Sequence, residues 1–156
     1  HLEALDASLE NEPETWDDFI SACENRFGNL IIDVPNFAAG LKKHPFNGNV
    51  VRRGFALLRV LDELAGGMGS DGALSQPALR LLKEHFQSKK AWFSDEKPDS
   101  EDVFIFRDNS NNGAGLYCSW HGKVKTPQFR LHFQWPVPPG QRCIKVLYFG
   151  EKLTKR

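Results

Sequence analysis

Phe129, Leu131, Phe133 and Trp135 alternate with Gln128, Arg130, His132 and Gln134 in an unbroken run. A period of two cannot line one face of a helix, so this segment must be a strand with one apolar and one polar face. Such a strand needs neighbours, and the sequence supplies them. VFIFR starts at Val103, LYCSWHGKVK spans 116–125, and IKVLYFG starts at Ile144. Between them lie DNSNNGAG and PVPPGQ, which are turn chemistry, and TPQ, whose Pro127 fits a strand start or edge. Residues 103–156 therefore read as three or four sequential strands of an antiparallel meander.

Upstream of Val103 the apolar spacing is helical. Thr15 opens a helix with Asp17 and Asp18 in its first turn, running to Arg26 or Phe27 and stopping at Gly28. Leu30 to Val34 is a strand or an extended link, and Pro35 to Leu41 is one helical turn or two. Asn49 is read as the cap of a helix over roughly 50–65, ended by Gly66-Gly67-Met68-Gly69. That glycine cluster follows no strand and carries no Lys-Ser/Thr, so it is a connector and not a phosphate loop. Ser75-x-Pro77 opens a helix over roughly 76–87 with Leu79, Leu82 and Phe86 inward, and 94–102 is a polar loop. The fold class is α+β: an acidic, mainly helical region 1–102, then a basic antiparallel sheet 103–156, packed together as one domain.

Charge divides at the same boundary. Residues 1–102 hold 11 Lys and Arg against 18 Asp and Glu, a balance of −7. Residues 103–156 hold 9 against only Asp108 and Glu151, a balance of +7. This asymmetry points to a sheet that meets a polyanion, RNA first, and to acids (Glu10, Glu12, Glu14, Asp17, Asp18) that shield it. No apolar run is long enough for a membrane span and no signal-peptide pattern is present. Cys23, Cys118 and Cys143 are odd in number and scattered, so a cytoplasmic, bacterial-type protein is expected. The chain starts at His1 and its only methionine is Met68, which suggests a fragment of a larger protein with a fused upstream domain.

The polar sheet face carries the chemistry. His121, Lys123 and Lys125 share one side of a regular strand, and Arg130 and His132 share one side of the next. If the two sides coincide, imidazoles and cations converge within roughly 10 Å. RNA cleavage by the 2′-OH needs such groups: a base, an acid, and cations for the extra charge on phosphorus. Histidine suits either proton role, and arginine holds phosphate bidentately. A bulge near Gly122 would put the histidines on opposite sides. Trp120, among the cations, is a candidate for stacking on a base.

The stretch HGKVKTPQFRLHFQW followed by IKVLYFGEK resembles the C-terminal strands of RelE-type bacterial toxins. Those proteins carry a basic K-x-K strand, a Y-R-L-x-Y/F strand and a last apolar strand ending in Gly-Lys or Gly-Arg. The resemblance covers roughly residues 116–153. It implies a RelE-like sheet, ribosome-dependent mRNA cleavage without a metal or cofactor, and an antitoxin partner. Lys123 and Lys125 match the basic strand, Arg130 the phosphate-holding arginine, and Lys152 the basic residue after the last strand. Catalytic roles then fall to His121, His132 and Arg130. RNA contacts fall to Lys123, Lys125, Arg130, Lys152, Lys155 and Trp120.

Other chemistries are weaker. Cys118, His121, His132 and Cys143 are zinc-type ligands, but their spacing is irregular and no metal is expected. Cys118 and His121 point to opposite sides of a strand, which argues against a thiolate–imidazole pair. From a different class, a non-catalytic nucleic-acid-binding or protein-interaction module of a bacterial defence or regulatory protein needs the cations but tolerates loss of both histidines.

Overall fold

A computed structural model describes residues 12–98 and 100–154. Helix α1, Trp16–Arg26, starts where the Thr15 hydroxyl accepts from the Asp18 N–H and buries Trp16, Phe19, Ile20 and Cys23. Strand β1, Leu30–Ile32, follows, and Asp33 caps α2, Val34–Leu41. Helix α3 is Gly48–Gly66, and its cap is Asn47, whose side chain accepts from the Val50 N–H, rather than Asn49. Asn49 instead donates to the Thr126 carbonyl (2.7 Å). Helix α4, Gln76–Leu82, is capped by Ser75 and loosens into a π-helical turn, Lys83–Gln87. Phe86 turns inward as expected, but Leu79 is 43% exposed.

The strands are β2 (Phe93–Asp95), β3 (Ile105–Asp108), β4 (Ala114–Tyr117), β5 (Trp120–Val124), β6 (Phe129–Phe133) and β7 (Ile144–Glu151). Five form one sheet in the order β1-β7-β6-β5-β2, antiparallel except where β1 runs parallel to β7. The class is α+β. The β5-β6-β7 meander lies at its centre, but both edges are strands from the front half, β1 and β2. The first expected strand departs from the meander. VFIFR begins in a 3-10 turn, Glu101–Phe104, and continues as β3, which pairs only with β4 in a separate hairpin.

The sheet thus has a different cover on each side. Helices pack on Phe93, Val124, Phe129, Leu131, Phe133, Val146 and Phe149. Two glycines permit this approach. A Cβ on Gly40 of α2 would lie 2.2 Å from the Phe149 carbonyl oxygen, and one on Gly122 of β5 would lie 2.9 Å from Leu57. β5 stays regular through Gly122. The irregularity lies in β7, where His132 faces Tyr148 but Phe133 faces Val146, leaving Leu147 as the extra residue. This bulge turns Leu147 and Tyr148 together to the hairpin side, where they meet Phe104, Phe106 and Cys118.

Polar contacts fix the hairpin in place. The Lys145 ammonium reaches Asp108 at 2.7 Å, both side chains largely buried. Asp33 accepts from the Asn109 N–H (3.0 Å) and its side-chain amide (2.8 Å), and Asn36 donates to the Arg107 carbonyl (2.8 Å).

Candidate nucleic-acid interface

The antiparallel register of β5 and β6 sets His121 opposite His132 and Lys123 opposite Arg130. Directly opposed residues point to the same side, so the faces coincide and all four groups lie on the hairpin side. The imidazole centroids are 5.1 Å apart.

The exposure of these groups is not uniform. Alternation along β6 predicts a solvent-facing histidine pair, but the hairpin covers it and leaves each imidazole 1% exposed. Phe104 lies 4.6 Å and Phe106 5.2 Å from the His132 ring. The alternation of β6 gave no sign of this, because the cover comes from a segment read as another meander strand.

Burial fixes both protonation states. His132 Nδ1 lies 2.8 Å from the Cys118 carbonyl and His121 Nδ1 lies 3.1 Å from the Ser119 carbonyl. A carbonyl only accepts, so each Nδ1 carries the proton and each Nε2 presents a lone pair. His121 Nε2 is buried without a hydrogen-bond partner among the described residues. Burial lowers the His132 pKa to about 3, with the His121 and Arg130 neighbourhood adding to the effect against the Cys118 bond. His121 is lowered too, chiefly by burial. Both are neutral at pH 7.

The cations stand around the rim. Arg130 is half-buried and donates through Nη1 to the Phe129 (2.9 Å) and Val124 (3.2 Å) carbonyls. Burial lowers its pKa and Glu96 opposes the fall, but a guanidinium stays charged at any working pH. Lys123 is exposed on β5, and Lys125 is exposed in the β5–β6 turn, just beyond the strand. Lys152 is half-buried, its backbone N–H on the Gln128 carbonyl (3.0 Å). Arg130, Lys152, His121, His132 and Glu96 line one narrow cleft.

Glu96 was not anticipated. It lies in the polar run SDEKPDSED, whose first two residues, 94 and 95, belong to edge strand β2. Its N–H donates to the Ser119 carbonyl (3.3 Å) and its carboxylate accepts from the Thr154 hydroxyl (3.0 Å). A carboxylate therefore faces the cations. The sequence carried no mark to separate it from its acidic neighbours.

Trp120 lies on the other side of the sheet, its ring 5.2 Å from Phe86 in the helix-side core. It is a packing residue and is not grouped with the cations. Lys155 and the acids of residues 1–11 lie outside the described residues; of the remaining acids, Asp17 pairs with Lys42 (3.0 Å) on the helix layer. Cys118, His121, His132 and Cys143 do not converge, and among the described residues no three His, Cys, Asp or Glu side chains are placed to hold a metal. Burial raises the Cys118 thiol to about 12, so it is not a nucleophile at neutral pH. No helix of the described residues is long and apolar enough to cross a membrane.

Compared with known proteins, the chain matches no family model, no curated protein and no solved structure. The resemblance to RelE-type toxins rests on the strand motifs alone.

Proposed function

We propose that this chain is an RNA-binding domain that grips the phosphate backbone with Arg130, Lys123, Lys125 and Lys152. The observation that carries this reading is the cross-strand pairing of Lys123 with Arg130 beside Lys152, at the solvent-facing rim of the sheet. Arginine and lysine so placed attract a polyanion without reading its bases. His121 and His132, each 1% exposed behind the hairpin, take no part in this grip.

Strand cleavage is the second reading, favoured by the two imidazoles beside Arg130. In it His121 Nε2 would take the 2′-OH proton while Arg130 held the phosphate. The departing 5′-oxygen then needs a proton, and His132, with its pKa near 3, has none to give at pH 7. Binding is therefore the stronger reading. The resemblance to RelE-type toxins makes messenger RNA on a bacterial ribosome the first RNA to try, and an antitoxin the first competitor to seek.

Fluorescence anisotropy with a labelled single-stranded RNA tests the binding. With four cations engaged, the logarithm of affinity should fall against the logarithm of salt with a slope of about −3. Arg130→Ala should weaken binding by about tenfold or more, since it removes a charge-assisted contact. Equal affinity of the wild type, Arg130→Ala and Lys123→Ala would refute the proposal.

A further inference from the structure

On the helix layer, away from the hairpin side, α1 and α3 enclose a cleft of about 370 Å³ lined by Arg26, Phe27, Arg52, Phe55, Ala56 and Arg59. None of these residues is acidic. Arg52 and Arg59 are both exposed on α3, two helical turns apart, or roughly 10 Å along the axis. Arg26, from the last turn of α1, places its guanidinium 4.6 Å over the Phe55 ring. Among the described residues, neither Arg52 nor Arg59 has an ion-pair or hydrogen-bond partner. Asp62, three residues past Arg59, is occupied in accepting from the Asn29 N–H (2.9 Å).

Arg52 and Arg59 thus offer guanidinium forks that no described acceptor fills, and an oxyanion between them can fill both. One carboxylate satisfies a single guanidinium fork. A phosphate monoester, with three terminal oxygens and nearly two charges, can satisfy both. The cleft is also larger than a phosphate needs, at the lower end of ligand-site sizes, and Phe27 and Phe55 give it an apolar wall. Phosphate donors beside an aromatic wall fit a phosphate that carries a flat, partly apolar body.

We infer that the α1–α3 cleft is a phosphate-monoester site for a nucleotide, with Arg52 and Arg59 as its principal ligands. The same chemistry is offered by a free nucleoside monophosphate and by the 5′-phosphorylated end of an RNA strand. The site stands independently of the sheet face, because no cation of that face lines it.

The test is calorimetric titration of the full chain with adenosine 5′-monophosphate, with adenosine and inorganic phosphate alongside. The expected result is saturable binding of the monophosphate and none of adenosine. Arg52→Ala/Arg59→Ala should weaken it by at least about tenfold. The charge-matched control Lys89→Ala/Lys90→Ala, altering exposed residues elsewhere, should change it less than about twofold. Both pairs are exposed, and equal thermal midpoints of the variants would show that the fold is retained. A tetraadenylate pair, with and without a 5′-phosphate, then separates the sources. A strand whose affinity is raised by its 5′-phosphate, with that gain lost in Arg52→Ala/Arg59→Ala, assigns the site to RNA ends, and equal affinity of the two strands assigns it to the free nucleotide. No saturable binding of the monophosphate, or undiminished binding in the double arginine variant, would overturn the inference.

Discussion

Buried neutral histidine makes this fold acid-sensitive in a pH range where carboxylates are silent. His132 titrates at 6.5 when exposed and at about 3 in the fold. Between those values the unfolded chain binds a proton that the folded chain refuses, so stability rises with pH. The contribution is intact above pH 6.5 and is eroded as pH falls from there towards 3. From pH 7 to pH 5 the loss from this one group is about 2 kcal/mol, and carried down to pH 3 it reaches about 4 kcal/mol. His121 shifts in the same direction and adds to it. His132→Asn isolates the effect, because the asparagine amide can still donate to the Cys118 carbonyl but does not titrate. Losing the ring costs packing against Phe104 and Phe106, so this variant is less stable at every pH. Its pH dependence is what matters. Urea unfolding at pH 7, 6 and 5 should show a wild-type decline exceeding that of His132→Asn by about 2 kcal/mol over the range. Parallel declines would show that His132 is not held neutral, and the argument against its acting as a proton donor would collapse.

Further outcomes follow from the packing. Gly40→Ala drives a Cβ into the Phe149 carbonyl, at 2.2 Å, so α2 must lift from β7. A cost of about 2–3 kcal/mol, and a fall in thermal midpoint on the order of 5–10 °C, should be seen by calorimetry. Burial alone would raise the Asp108 carboxyl, but hydrogen bonds from Lys145 and Ser110 and the Lys145 charge hold it below its ordinary value. The tether is therefore complete above about pH 4 and weakens below it. Lys145→Met should cost about 3–5 kcal/mol and speed hydrogen exchange selectively in β3 and β4, with Asp108→Asn partly rescuing it. Glu96→Gln removes the carboxylate facing Arg130 and Lys152, and should raise RNA affinity about two- to fivefold in anisotropy titrations at low salt.

Much of this architecture is legible in the chain because local signals and burial agree. Thr15 and Ser75 cap the helices that their sequence positions suggest, and Phe129, Leu131 and Phe133 bury one face of β6 as their alternation requires. The coincidence of the histidine-bearing faces follows from strand regularity through Gly122. Three features escaped for identifiable reasons. β2 is three residues long and held at an edge by pairing with β5, so it has no periodicity to find. The β7 bulge depends on which residue of β6 faces which, a register that alternation does not specify. The hairpin cover is the costliest omission. VFIFR reads equally well as a meander strand or as half of a hairpin, and only tertiary contacts such as Lys145–Asp108 decide between them. The same ambiguity hid the burial of His121 and His132, and with it their neutral state.

The central claim is that RNA is met by the cationic rim of the sheet. Amide chemical-shift mapping of the isotopically labelled chain with a short single-stranded RNA lacking a 5′-phosphate tests it most directly. The account predicts saturable shifts clustered over residues 123–130 and 152–154, moving together and suppressed by added salt. Shifts confined to the α1–α3 cleft, or no saturable shifts at all, would contradict it.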